Sequence, residues 1–312
     1  MLEDKLRMQG RLTLEPDTLW LKVKQGTKHG IESGALQSIP TDSEFLETQG
    51  LRFLVRILSN LVRKQEAQQS ESNKTQKSGQ EFNPFLPYDR DLFVTDISPT
   101  HVCLLNKFNV VDYHLLLVTR EFEEQEMLLT LADFEAIWGC LQQVDGLGFY
   151  NGGKEAGASQ RHKHLQLVPL PIASDGPRMP LEPAIISATV VDGVGTIAAF
   201  PFDCAVTFFD PDLFNHPLEA AEQTLNSYLK LLATVGLEPE ETNPKQPGPY
   251  NLLMTRDWML IVPRSQESFE SISINSLAFA GSLFVRNSQE MQLLKEVGPL
   301  KILETVGRSP RS

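Results

Sequence analysis

Residues 157–168, Gly-Ala-Ser-Gln-Arg-His-Lys-His-Leu-Gln-Leu-Val, constrain the fold of this chain more than any other segment. His162, His164 and Gln166 alternate with Lys163, Leu165 and Leu167, and a period of two predicts a β-strand. In a strand, residues i, i+2 and i+4 share one face, spaced about 6.5–7 Å apart. His162, His164 and Gln166 are therefore expected to line one side of a sheet, with Arg161 and Lys163 turned away and acting mainly through their field. Just upstream, Asn151-Gly152-Gly153 through Gly157-Ala158-Ser159-Gln160 is rich in glycine and amides. Such a loop can aim backbone N–H groups at phosphate oxygens. A polar ladder behind an anion-binding loop fits a nucleotide site.

The rest of the composition bounds the setting. The 312 residues are 41% hydrophobic, enough to bury a core in one large domain or two modest ones. The net charge of −12 argues against a broad nucleic-acid surface, which carries a basic footprint. It leaves room for a local basic pocket, because charge repulsion is screened over about 8 Å at physiological salt. Cys103, Cys140 and Cys204 are too few and too scattered for a disulfide framework, so cytosolic thiols are expected. The first residues mix charges and show no signal-peptide core. No apolar run reaches the roughly 18–20 residues of a transmembrane helix. A soluble, cytoplasmic protein with no membrane partner is expected.

Along the chain, residues 1–64 show mixed turns and short apolar runs, with Phe53–Leu58 as a strand and Leu61 and Val62 extending its pattern. Residues 65–82 are Gln/Ser/Glu/Lys-rich, the composition of a mobile loop. Val102–Asn106 and Leu115–Thr119 read as paired strands. Thr130 with Asp133 marks a helix start, and Phe134, Ile137, Trp138 and Leu141 supply its apolar face, with Gly146 as its stop. Pro169, Pro171, Pro177, Pro180 and Pro183 punctuate a boundary. This divides the chain into an N-terminal domain over 1–182 and a C-terminal domain over 183–312. In the second, Ala205–Phe209 reads as a strand and Pro217 opens a helix that stops at Gly236. Tyr250–Thr255 and Trp258–Val262 form a hairpin, residues 275–286 and 288–303 read as helices, and the chain from Gly307 as a frayed tail. This order favours an α+β fold with a largely antiparallel sheet and packed helices.

Two chemistries could use the histidine pair. His-x-His on a strand can ligate zinc, but a zinc site needs three or four protein ligands and no further cluster is evident. No metal ligands are assigned. Alternatively, a neutral imidazole is a good nucleophile at pH 7. His164, the middle of the ladder, is best placed to attack phosphorus, with His162 and Gln166 beside it. Gln166 can donate to a phosphate oxygen but cannot act as a general acid, because an amide does not titrate in this range.

His162-Lys163-His164-Leu165-Gln166 behind Gly157-Ala158-Ser159-Gln160 resembles the histidine-triad (HIT-like) superfamily with glutamine in third place, the form typical of its nucleotidyltransferase branch. Together with Asn151, Leu104–Phe108 and Asn275–Gly281, these motifs resemble the diadenosine tetraphosphate phosphorylase (ATP adenylyltransferase) family over roughly residues 50–290. The resemblance implies a HIT-like fold with a C-terminal half of the ATP adenylyltransferase type. It implies that His164 takes AMP from diadenosine tetraphosphate, releasing ATP, and that inorganic phosphate then gives ADP. Gln166 would contact the α-phosphate. Asn151, Gly157, Ala158, Ser159 and Gln160 would hold ribose and phosphates. Arg56, Asn106, Lys107, Asn275, Ser276, Leu277, Ser282 and Arg286 would complete substrate binding, with Arg52 and Lys64 competing with Arg56 as the phosphate contact. Ser282 and Arg286 stand where fungal members tend to carry Met and Lys, which leaves purine preference open. The implied ligands are diadenosine polyphosphates, ATP, ADP and inorganic phosphate. Mg2+ would arrive with the polyphosphate, with no tightly bound cofactor. Exchange with adenylyl sulfate, of the ADP-sulfurylase kind, is a further expectation. A hexose-1-phosphate uridylyltransferase-type enzyme and a non-catalytic nucleotide-binding protein are the alternatives. The oligomeric state is not fixed by the sequence.

Overall fold

One order of elements, three strands, a helix and two strands, occurs twice in the chain, and both copies share a single sheet. The computed structural model describes residues 6–7, 11–58, 82–173 and 176–310. The expected loop over 65–82 lies outside them except for Phe82, as do Leu61, Val62 and Lys64. The N-terminal part begins with helix α1 (Leu19–Ser33) and the hairpin of β1 (Thr41–Thr48) and β2 (Leu51–Leu58). The first copy of the repeated order is β3 (Phe93–Asp96), β4 (His101–Leu105), β5 (Leu115–Thr119), α2 (Leu131–Gln143), β6 (Gly146–Gly152) and β7 (His164–Pro169). Helix α3 (Glu182–Ile186) follows. The second copy is β8 (Thr189–Val191), β9 (Val194–Thr196), β10 (Ala205–Phe208), α4 (Pro217–Thr234), β11 (Tyr250–Met254) and β12 (Trp258–Pro263). The chain closes with β13 (Ser268–Phe269), β14 (Ile272–Ser273), α5 (Ser276–Phe279), β15 (Ser282–Val285), α6 (Ser288–Val297) and α7 (Pro299–Val306).

The ten-stranded sheet runs β3-β4-β5-β7-β6-β11-β12-β10-β9-β8. Its order mirrors about the central β6–β11 pair, where Asn151 stands opposite Asn251. The pairings are antiparallel throughout, so the expected α+β architecture is the observed one. Alternation sends the two faces to different cores. Leu165 and Leu167 join Phe134, Trp138, Leu225 and Tyr228 under α2 and α4. Phe149, Val168, Leu253 and Leu260 join Phe53, Phe279 and Leu303 on the opposite face. Helix α2 starts as the sequence predicts: Thr130 and Asp133 form a capping box, satisfying N–H groups that the first helical turn leaves without partners.

Four expectations need correction. Gly146 does not stop α2; Val144 caps it and Gly146 opens β6. The expected helix over 275–286 is a single turn, after which Ser282–Val285 pairs parallel with β2. Gly281, at a φ of +92°, makes the reversal between them. The region before residue 64 holds α1 and β1, not just turns and short apolar runs. The chain after Gly307 is held at Arg308, whose N–H donates to Pro263 O and whose carbonyl accepts from Asp203 N.

Candidate active site

The alternation places the side chains, but β7 starts at His164, not at His162. His162 sits just before it, bridged to Glu124. Its ring Nε2–H faces the carbonyl of Thr119 at 2.8 Å, and Asn83 Nδ2 lies 3.1 Å from Nδ1. With both ring nitrogens engaged, the His162 side chain holds structure. Its link to His164 runs through the main chain: His164 Nδ1 donates to His162 O at 2.8 Å. A carbonyl only accepts, so Nδ1 carries the proton and Nε2 keeps its lone pair. The His164 side chain is buried and packs on Phe85, ring centroids 5.3 Å apart. Burial pushes its pKa down to about 4, helped by the nearby His162 and opposed by the bond to His162 O. The imidazole is neutral at pH 7.

Gln166, two residues along the same face, is oriented by a histidine that the sequence reading passed over. His114 Nε2–H donates to Gln166 Oε1 at 2.9 Å, and Asn106 Nδ2 donates to His114 Nδ1 at 3.2 Å. Burial holds His114 at a pKa of about 4, against the raising bond from Gln166. Since its Oε1 is taken, Gln166 presents its N–H2 as the available group. His114 lies inside an apolar run, Tyr113 to Val118, and its spacing to Gln166 is set only by the β5–β7 register, in which Leu116 faces Gln166.

A second cluster forms at the centre of the sheet. Asn151 Oδ1 accepts from Asn251 Nδ2 at 2.9 Å, Ser276 N at 3.0 Å and Ser276 Oγ at 2.8 Å. Asn251 Oδ1 in turn accepts from the buried Arg264 at 2.6 Å. Asn275 caps α5 by accepting from Leu277 N, and Leu277 is core. Gly157, at φ +90°, packs against this turn: a Cβ there would stand 2.8 Å from Ile274 O. Ala158 N donates to Gly153 O, which closes the loop. Ser159 is exposed and Gln160 half-buried.

The structure therefore links Asn106 to Gln166 through His114, with His164 two residues from Gln166 on the same strand face, and brings Asn151, Gly157, Asn275 and Ser276 into a second cluster. It does not draw in the remaining expected residues through recorded contacts. Lys107 lies beside the Phe108 ring at 5.7 Å. Arg56 donates to Ile172 O at 2.7 Å, and its Nε is buried without a partner among the described residues. Ser282 is buried in β15 with its hydroxyl likewise unpartnered. Arg286 is exposed and tied to Glu290 through its Nε at 2.7 Å and to the Ser271 carbonyl. Lys163 departs from its expected role as a distant field source. It is fully buried, 2.6 Å from Asp133 Oδ2 and 3.1 Å from Leu128 O. Burial raises the Asp133 pKa, but Lys163 and His101 outweigh it and hold the carboxyl well below the usual range. The pair locks the main chain between the two histidines onto the start of α2.

Among the described residues, no group of three or more His, Cys, Asp or Glu is placed to hold a metal ion, and no helix is long and apolar enough to cross a membrane. Residues 9–187 match the model of the Ap4A phosphorylase N-terminal domain, and residues 198–309 that of the ATP adenylyltransferase C-terminal domain. The chain is similar to diadenosine 5',5'''-P1,P4-tetraphosphate phosphorylase 2 of Saccharomyces cerevisiae, 29% identical over 253 residues, 72% of this chain and 75% of that protein. The crystal structure of yeast Ap4A phosphorylase Apa2 superimposes with a TM-score of 0.77 at 22% identity, covering 96% of this chain and 100% of that one. Its complex with Ap4A gives 0.76 over the same shares. With one domain model spanning more than half of its length and the second covering most of the remainder, the chain belongs to the Ap4A phosphorylase and ATP adenylyltransferase family of nucleotidyltransferases.

Proposed function

We propose that the chain phosphorolyses diadenosine tetraphosphate to ATP and ADP through a covalent adenylyl-His164. One observation carries the reading: the His164 imidazole is neutral, with its proton fixed on Nδ1 by His162 O and its Nε2 lone pair without a partner among the described residues. In the first step Nε2 attacks the α-phosphorus, the bond from phosphorus to the bridging oxygen breaks, and ATP leaves. The ring gains positive charge as the N–P bond forms, which strengthens its Nδ1–H bond to the His162 carbonyl. In the second step an oxygen of inorganic phosphate attacks the same phosphorus. The N–P bond breaks, its electron pair returns to Nε2, and ADP forms. The Gln166 amide, aimed by His114, donates to the α-phosphoryl oxygens and supplies no proton to water.

The substrate-binding roles belong to the same reading. Asn151 Nδ2, which has no partner among the described residues, and the 157–160 loop are placed for ribose and phosphates. The buried, unpartnered Arg56 Nε is a donor suited to an anion. Lys107, Ser282 and Arg286 would engage only with substrate present. Mg2+ would arrive with the polyphosphate, and adenylyl sulfate would serve as a second adenylyl donor to the same His164. A cytoplasmic location is supported by three free cysteines. The boundary along the chain between the N-terminal and C-terminal domains is proposed to fall in the proline-rich segment before residue 183.

The test is incubation with diadenosine tetraphosphate, with and without inorganic phosphate. Expected without phosphate is one ATP released per chain and a peptide carrying AMP on His164; with phosphate, continuous ATP and ADP. Binding without any adduct would sink the reading in favour of a nucleotide-binding protein.

A further inference from the structure

The ladder between β6 and β7 runs from Gly146↔Pro169 to Phe149↔Gln166 and then stops. Beyond it the two strands fork. Asn151 goes on toward β11, while His164 pairs with Val118 on β5. The glycine-rich loop leaves from the end of β6, and the nucleophile stands at the start of β7. A side chain fills the fork. Gln125 Nε2 lies 3.0 Å from Asn151 O and 3.2 Å from His164 O, and its Oε1 accepts from His164 N at 2.9 Å. Gln125 is itself buried. Its own N–H donates to Arg161 O at 2.6 Å, and its carbonyl accepts from the Tyr150 hydroxyl.

Resting on the adenylyl-His164 reading, we propose that Gln125 is a positioning residue, its carboxamide standing in for a ladder rung to hold the nucleophile strand at a fixed offset from the phosphate loop. The geometry supplies the reason. A carboxamide has the donor and acceptor of a peptide group, so it satisfies the three main-chain groups that the fork leaves open. Each would otherwise be a buried polar group without a partner, which is costly. Without the wedge, the strands can satisfy those groups by zipping toward the usual spacing of about 4.8 Å. That would draw His164 toward Asn151 and close the mouth of the 152–163 loop. A nucleophile misplaced by about 1 Å can lose two orders of magnitude in rate. Gln125 touches neither reacting atom, so its effect falls on the chemical step more than on binding.

Two variants and three readouts test this. Gln125→Met keeps the volume and removes both bonding functions. Gln125→Glu keeps the acceptor for His164 N but sets an oxygen against two carbonyls. Both are compared with the wild type for kcat and KM in phosphorolysis, for thermal unfolding, and for the His164 imidazole 15N and Nδ1-proton NMR signals. Expected is a kcat lower by about 100-fold with KM within about threefold, in a folded protein whose His164 Nδ1 proton exchanges faster. Should Gln125→Met not fold, Gln125→Glu carries the same expectation. Wild-type kcat together with an unchanged His164 spectrum in a folded variant would overturn the inference. A wild type that shows no phosphorolysis sinks the adenylyl-His164 reading instead, and the NMR comparison still decides whether Gln125 positions His164.

Discussion

His164 Nδ1 stands 2.8 Å from the main-chain oxygen of His162, and this bond decides which ring nitrogen of His164 carries the proton and which keeps its lone pair. The pair therefore acts in series: one residue gives a carbonyl, the other an imidazole.

The first prediction follows from that division. His162→Asn keeps the carbonyl but loses the ring's anchor on Thr119 and its packing on Phe85. Adenylylation should slow by about tenfold, a loss of about 1.4 kcal/mol in the barrier. His164→Asn should form no adduct at all. Single-turnover labelling with diadenosine tetraphosphate measures both. Equal and complete loss in the two variants would mean that the His162 ring itself takes part.

The second concerns pH. The folded His164 and His114 both titrate near 4, below the ordinary 6.5, chiefly through burial. Below 6.5 the unfolded chain binds protons that the folded chain refuses, so stability falls as the pH drops. The contribution is fully present above about 6.5 and is lost progressively toward about 4, on the order of 3 kcal/mol for each histidine. Urea unfolding at pH 7, 6, 5 and 4.5 reads this slope. Single-turnover adenylylation should stay flat down to about pH 5. An acid limb centred near 6.5 would show that the nucleophile titrates as an ordinary histidine.

The third addresses His114. His114→Phe keeps the ring's packing beside Phe149 but removes the donor to Gln166 Oε1. The Gln166 amide is then free to turn, and its donors no longer point one way. The expected cost is a 10–100-fold lower kcat, corresponding to about 1.4–2.7 kcal/mol, with a smaller change in KM. If His114→Phe and Gln166→Ala are each slow and the double variant is no slower than either, the two act as one unit.

The fourth tests the ion pair behind the site. Lys163→Met leaves Asp133 buried beside His101 without its main counter-charge. Breaking a buried pair from one side costs about 3–5 kcal/mol. Urea midpoints should fall accordingly, with the m-value unchanged. The Asp133 carboxyl is held below its ordinary pKa, so its share of stability is present above that ordinary value and is lost as the pH falls below it. A Lys163→Met midpoint equal to wild type would show that the pair contributes nothing.

The fifth concerns Gly157. Gly157→Ala meets a left-handed backbone, at about 1–2 kcal/mol, and an oxygen of Ile274 at 2.8 Å. The loop must shift away from Asn275, so nucleotide affinity should fall, and the urea midpoint should drop by no more than this strain accounts for. Calorimetric titration with AMP checks it, and unchanged affinity would exclude the loop from the nucleotide site.

Much of the scaffold was readable locally. The capping box at Thr130 and Asp133, the apolar face of α2, the β4–β5 pair and the β11–β12 hairpin all involve partners close in sequence. Helix α1 was missed because its buried residues are few, Leu19, Val23 and Gly30, and most of its other residues are polar. Strand β15 read as a helix because Ser282–Val285 is a short apolar run next to one helical turn. Its identity comes from β2, more than two hundred residues earlier. Lys163 reads from sequence as a charge on the far face that acts through its field, because its partner Asp133 already has a sufficient local duty as a helix cap.

By itself the sequence determined the strand periodicity that puts His164 and Gln166 on one face, and the glycine positions where the loop can turn. Those are properties of covalent geometry and of near neighbours. Only the tertiary structure decided that the His162 carbonyl holds the His164 Nδ1 proton, that His114 orients Gln166, and that Gln125 fills the fork beside His164. These relationships depend on strand register and on burial. Hydrogen-bond direction and a depressed imidazole pKa exist only once distant segments have packed and excluded water.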